Sequence, residues 1–455
     1  MNMTSPTRRT FIRQAACAAL TTTGILNTIF DLRRLSAAPL DTSDDYKALI
    51  CLFLFGGNDA NNVIVPHDAS GYASYAAARG ILAIPQASLL PLTLQNGDGR
   101  DFGFHPNLAE LQALFNQGKL GLVSNVGTLV APVTRAQYLA GGAAVPPQLF
   151  SHADQSVQWQ TSVPDVISKT GWGGRLADVL QSLNAGSKIS LNISIAGTNT
   201  FEVGNTVLPY VVSPNGSVGL AGFDGSANAN VRLQAFKDLL ALPHNNLFEQ
   251  AYADTVSRSI AANDLLTSAL AGIPAFQTVF PNTSLGQQLS MIAKLIAARN
   301  NLSMKRQIFF CSVGGYDTHG DQLAGQANLL TELSQGMNAF YNATVELGVA
   351  SQVTTFTASD FGRTYPTNGS GSDHGWGSHQ FVLGGAVQGG RLFGTFPTLA
   401  VNGPDDTGQG RWIPTTSVDE FSATLATWFG VAASDLPTVL PNIGRFAHPS
   451  LGIFG

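Results

Sequence analysis

Residues 46–59, YKALICLFLFGGND, decide the fold. Only Lys47 interrupts the apolar run, and there is no alternation between apolar and polar positions. Both faces of such a segment would meet apolar neighbours, as in a strand buried inside a parallel sheet. The run stops at Gly56-Gly57-Asn58-Asp59, a polar turn at the C-terminal end of the strand. Three further stretches repeat the design, 119–126 (KLGLVSNV), 306–313 (RQIFFCSV) and 352–358 (QVTTFTA). Between them, helical periodicity marks 107–115, 172–183, 245–269, 285–298, 323–347 and 420–429. Strands alternating with helices predict an α/β fold, a mostly parallel central sheet with helices on both faces. Residues 188–242, rich in β-branched residues, Asn, Gly and Ser, are expected as a small inserted β-rich cap. A ligand site in such a sheet belongs beyond the C-terminal ends of the strands.

The first residues set the destination. Thr7-Arg8-Arg9-Thr10-Phe11-Ile12-Arg13 precede an uncharged, moderately apolar stretch at 14–30, the n-region and h-region order of a signal peptide. The Arg8-Arg9 pair with Phe11 makes it a twin-arginine signal, with a small-residue cleavage site near Ser36-Ala37-Ala38. Residues 1–38 are therefore expected to be removed, leaving one domain over 39–455. Three threonines, Gly24 and Asn27 leave the stretch short of the roughly 20 apolar residues of a spanning helix. The expected location is the periplasm or beyond, with the twin-arginine translocase as a partner during export and no stable membrane span. Losing 1–38 removes five arginines and Asp31, so 19 basic residues face 28 acidic ones, a net charge of −9. Nucleic acid is a poor partner for such a chain. Of three cysteines, Cys17 lies in the signal, while Cys51 and Cys311 sit in strand-like runs, so no disulfide framework is expected.

The polar residues near the strand ends are of one chemical kind: Asp59, Ser151-His152-Ala153-Asp154, Asp317-Thr318-His319, Asp360, Asp373-His374 and His379. Carboxylates and imidazoles gathered this way suit a divalent cation, Zn²⁺ foremost, with Mg²⁺, Mn²⁺ and Ca²⁺ as alternatives. Asp59 would otherwise order its own turn, and Ser151 would be an ordinary helix N-cap. His67, His105, His244 and His448 lack such company and read as structural. No Walker-type loop or dinucleotide fingerprint is present, so no nucleotide cofactor is implied.

The stretch 357–362 (TASDFG), followed by 371–374 (GSDH) and the apolar 381–383 (FVL), resembles motifs of the alkaline phosphatase, sulfatase and phosphopentomutase superfamily. The fuller set, FLFGGND (53–59), FSHADQSVQW (150–159), GGYDTH (314–319), SDFGRT (359–364) and DHGWGSHQFVLGGAVQGG (373–390), is similar to the bacterial family called domain of unknown function 1501. The resemblance implies a two-metal hydrolase of phosphate or sulfate esters on a small molecule or glycan. Asp317, His319 and His374 would hold one metal, and Asp59 and Asp360 the other, with Asp373 and His379 as further ligand candidates. Ser151 would be the nucleophile, ahead of Thr128 and Thr134, and Arg363 would pair bidentately with the phosphate or sulfate. Phe361 departs from the pattern, which usually has histidine there, so the second metal needs His379 or His152. The spacing Asp317-Thr318-His319 is also tighter than usual. The alternative is a non-catalytic exported protein of the same fold, a glycan-binding or surface-assembly module. A formylglycine sulfatase is disfavoured, because 130–135 (VAPVTR) has Val130 where the nucleophile would stand.

Overall fold

A computed structural model describes residues 45–455 except Val218, Ala221, Asp224 and Gly225; the expected signal and its cleavage site lie outside the described residues. The opening apolar run forms β1 (Lys47–Leu54). Each residue from Ala48 to Leu54 is no more than 2% exposed. Successive side chains of a strand point to opposite faces. Ala48, Ile50, Leu52 and Leu54 accordingly enter one core, and Leu49, Cys51 and Phe53 the other.

Among the described residues twelve strands follow. A small antiparallel sheet holds β2 (Ile64–Pro66), β3 (Leu90–Pro91) and β4 (Phe102–Phe104). The large sheet adds β5 (Leu120–Gly127), β6 (Asn192–Ser194), β7 (Tyr210–Ser213), β8 (Gly216–Ser217), β9 (Arg306–Val313), β10 (Val353–Ser359), β11 (Ser378–Gly384), β12 (Leu392–Phe393) and β13 (Thr416–Ser417). Its order is β12-β5-β11-β10-β1-β9-β6-β7-β8, with β13 paired to β5. Only β11 and β8 run against the rest. Helices Ala109–Asn116, Leu247–Ala271, Ser284–Ala297 and Gln322–Glu346 supply the first core. Helices His152–Thr161, Trp172–Leu180, Val418–Phe429 and Leu436–Val439 supply the second.

The expected sheet with helices on both faces is present. Within residues 188–242, β6 and β7 continue the main sheet, β7 and β8 form an antiparallel hairpin at its edge, and helix Ala227–Leu240 follows. Cys51 and Cys311 are free and buried. No described helix is long and apolar enough to cross a membrane.

Direction in the sheet builds the site. Leu54 stands opposite both Val313 and Ser359, so β1, β9 and β10 end together. Their loops, carrying Asp59, Asp317-Thr318-His319 and Asp360, emerge side by side. Because β11 runs the other way, its first residue Ser378 pairs with Val126 near the end of β5, and the segment before β11 reaches the same edge. Gly56, at φ 116°, makes this crowding possible. A Cβ there would collide with the backbone nitrogen of Asp317.

Glu202 is buried and takes hydrogen bonds from Asn199 Nδ2, at 2.8 Å, and from the Ile193 backbone; burial, the larger effect, pushes its carboxyl up to about 8. The folded chain holds this proton where an unfolded one releases it near 4.5, so the associated stability is present below pH 4.5 and is lost as pH rises through 8. Glu202→Gln is expected to raise the melting temperature by roughly 2 °C or more at pH 8.5 while changing it little at pH 5, read by thermal unfolding.

Candidate metal centre

Three imidazoles and one carboxylate converge at the strand-end edge. His152 is the first residue of helix His152–Thr161, Asp317 and His319 lie in the loop after β9, and His374 lies in the segment leading into β11. The Nε2 of His374 is 3.1 Å from that of His152 and 2.9 Å from that of His319. Asp317 Oδ1 is 3.3 Å from His374 Nε2, 3.1 Å from His319 Nε2 and 3.5 Å from His152 Nε2. His152, Asp317 and His374 each place a ligand atom within 4.8 Å of the other two, close enough to share one ion, and His319 Nε2 adjoins this group through His374 and Asp317.

The opposite nitrogen of each ring has its own partner. His152 Nδ1 meets Asp360 Oδ2 at 2.7 Å, His319 Nδ1 meets Asp373 Oδ1 at 3.0 Å, and His374 Nδ1 donates to the Phe150 carbonyl at 2.7 Å. A carbonyl only accepts, so the His374 proton sits on Nδ1 and its Nε2 presents a lone pair. Burial foremost pulls the His374 imidazole below its usual range, which keeps it neutral. Lone pairs of this kind facing one another at about 3 Å repel unless a cation lies between them, and an outer partner on each ring is the usual setting of a metal-bound histidine. These residues fit a divalent ion.

Two aromatic residues back the cluster. Phe150 has φ 71°, a left-handed conformation that is rare for a bulky residue; its N–H donates to Gln155 Oε1 at 2.6 Å while its carbonyl orients His374. Phe361 is 1% exposed, and its ring centroid is 4.7 Å from those of both His152 and His374. Where the resembled pattern has a ligand, this chain has an apolar wall. Asp360 also accepts from Gly56 N at 3.1 Å; burial raises its carboxyl, against the opposing pull of His152. Burial alone would raise Asp317 as well, but the hydrogen bond and charge of Arg363 and the neighbouring imidazoles hold it below its ordinary value.

Of the residues expected to bind metal, Asp317 and His374 form one group with His152, and His319 stands at its edge. Asp360 and Asp373 orient imidazoles. Asp59 is elsewhere: its carboxylate is in a buried ion pair with Arg79 and takes a bond from Gln322 Nε2. A guanidinium already neutralises it, so Asp59 is corrected from ligand to structural anion. His379 is also corrected. It is 6% exposed and stacked on Phe396, with its Nδ1 accepting from Asn125 N at 3.0 Å and its titration pulled down to about 3 by burial. Among the described residues a single such group forms, rather than two.

Arg363 is likewise not free to meet a substrate. Its side chain is fully buried, donating to Asp317 Oδ1 at 2.7 Å, to Gly56 O at 3.2 Å and to Ser372 O. Ser151 caps its helix: Oγ accepts from Asp154 N at 3.4 Å and donates to the Asp154 carboxylate at 2.5 Å. Thr128 is buried against Gln155, and Thr134 closes a capping box with Gln137. Sequence reading missed Phe150 and Arg79. The signal for His152 was its place at a helix start beside Ser151, which pointed first to the serine.

Asp360→Asn is expected to weaken metal affinity by about 10–100-fold without unfolding the protein, measured by competition with a chelating dye. Asp59→Asn leaves Arg79 buried without its partner and should destabilise the fold by about 3–5 kcal/mol in denaturant titration, while the folded fraction keeps its metal.

No curated protein is similar in sequence. Several solved structures match at low identity. The sulfatase PsFucS1 from Pseudoalteromonas sp. matches at 12% identity, covering 86% of this chain and 69% of its own, with a TM-score of 0.34. The C-terminal periplasmic domain of EcEptC from Escherichia coli matches at 11%, covering 91% and 92%, with a TM-score of 0.35. The phosphonate monoester hydrolase SpPMH from Silicibacter pomeroyi matches at 8%, covering 85% and 73%, with a TM-score of 0.35. At that level of likeness the chemistry of the site has to come from its own geometry. The model of the protein family of unknown function DUF1501 matches residues 46–436, and the chain belongs to that family.

Proposed function

We propose that the protein is an exported metal-dependent hydrolase of phosphate or sulfate esters built around one divalent ion, with Zn²⁺ the best match to the donor set. The observation that carries this reading is the convergence of ligand atoms from His152, Asp317 and His374, all within 4.8 Å of one another, with His319 Nε2 beside them and each ring fixed from behind. The side chains of His319 and Asp317 are each 45% exposed, so the cluster has an outer face open to an ester. A divalent ion held there would polarise an ester oxygen and stabilise the charge that develops on it. The chain's own groups supply the rest. Ser151, one residue before His152, has its hydroxyl proton directed at the Asp154 carboxylate, which is placed to take that proton as Oγ bonds to the phosphorus or sulfur and the ester alcohol leaves, protonated in turn; water then releases the phosphate or sulfate from Oγ. Phe361 excludes water from the inner side of the imidazoles. Export rests on the Arg8-Arg9 signal in the sequence.

One observation favours the non-catalytic alternative: His319 Nε2, 2.9 Å from His374 Nε2 and 3.1 Å from Asp317 Oδ1, is near enough to turn in as a fourth donor and close the shell, as in structural metal sites. Two measurements decide between the readings. Elemental analysis of the mature protein, purified without chelators, is expected to find about one divalent ion per chain, lost in His152→Ala/His374→Ala. A panel of aryl phosphates, phosphonates and sulfates should then show turnover that EDTA abolishes and added Zn²⁺ or Mn²⁺ restores. Ser151→Ala should lower that turnover by at least about 100-fold with the metal retained. Full metal occupancy without turnover of any ester would establish the binding module instead.

A further inference from the structure

With Arg363 enclosed, the cation available to a substrate comes from a segment the motifs do not cover. Residues 402–412 form a loop around the buried Asp406, whose carboxylate accepts from Asn402 N at 2.7 Å and from Gly408 N and Arg411 N, both at 2.8 Å. The backbone on either side of Arg411 is also pinned. Tyr365 N donates to Gly410 O at 3.0 Å and Gly377 N donates to Trp412 O at 2.9 Å. Arg411 thus leaves a rigid base, and its guanidinium is fixed in turn. Nε donates to the His374 carbonyl at 2.8 Å, and the guanidinium carbon lies 4.4 Å from the centroid of the Phe150 ring. Both contacts are to residues of the metal cluster: His374 is one of its donors, and Phe150 orients that donor.

The rest of the guanidinium is uncommitted. Among the described residues no carboxylate is in ion-pair contact with Arg411, and neither Nη atom has a hydrogen-bond partner within the chain. The side chain is half-buried, so one edge faces solvent. Charge balance points the same way. Asp317, Asp360 and Asp373 would be matched by one divalent ion together with Arg363, which leaves Arg411 as positive charge in excess beside the cluster. An arginine with its plane fixed by stacking and its two Nη groups free presents a fork matched to two oxygens of a tetrahedral oxyanion.

We propose that Arg411 binds the anionic group of the substrate, holding a phosphate or sulfate oxygen pair at the open side of the histidine cluster. The identification of that group as an ester rests on the hydrolase reading; the anion site itself does not. The test is calorimetric titration of inorganic phosphate, and separately of sulfate, into the mature full-length protein, alongside Arg411→Gln, Arg411→Lys and His152→Ala/His374→Ala. Arg411→Gln is expected to bind about tenfold more weakly or worse, with unchanged metal content, and Arg411→Lys to fall between because it keeps the charge and loses the fork. The stronger of the two titrants identifies the oxyanion. Equal binding by Arg411→Gln, or no binding by the unaltered protein, overturns the proposal. Loss of metal in Arg411→Gln overturns it too, since that would make the residue a support for His374. Anion binding that survives in the metal-free double variant and still depends on Arg411 upholds this inference while removing the hydrolase reading.

Discussion

A strand with no face toward water leaves its chain only two places for polar chemistry, the ends. From Ala48 to Leu54 both sides of β1 are packed, one against each core, and β9 and β10 on either side continue the layer. Burying a charged group in such a layer is costly unless it is paired. The ionisable residues that converge here therefore do so at the C-terminal edge, where three parallel strands stop in register and backbone amides become free to bind them.

At that edge, burial divides identical residue types into different roles. Asp59 and Asp317 follow adjacent strands, yet one is sealed in with Arg79 and the other is half-exposed among imidazoles. His374 and His379 are five residues apart, and only the first reaches the cluster; the second enters β11 and stacks on Phe396. Arg363 and Arg411 divide in the same way, the first holding a carboxylate in place and the second keeping two donors free.

The sequence reading recovered the parallel strands and most helices, because a buried strand and an amphipathic helix each leave a local pattern of apolar residues. It singled out Asp317 and His319 because they follow a glycine pair at a strand end, and His374 because it lies in a glycine-rich segment leading into a strand. It misplaced Asp59, because the partner that claims it, Arg79, lies at the end of a helix whose packing no local pattern reports. It set His152 behind Ser151, since the direction of a helix entering the site is a tertiary fact. It gave Arg363 an outward role, although four residues past the end of β10 proved deep enough to bury the whole side chain. Arg411 had no motif at all; the loop built on Asp406 brings it to His374 from outside the recognised segments.

His152 and His374 are 222 residues apart in the chain, and His374 and Asp317 are 57 apart. An unfolded chain does not hold these donors near one another, and closing such loops carries its own entropy cost. The coordination set therefore comes into being with the tertiary structure, and no partial segment of the protein carries it. An ion taken up by these residues is chosen from whatever pool surrounds the chain when it folds, so the compartment of folding, as much as the affinity of the ligands, determines which metal the protein carries.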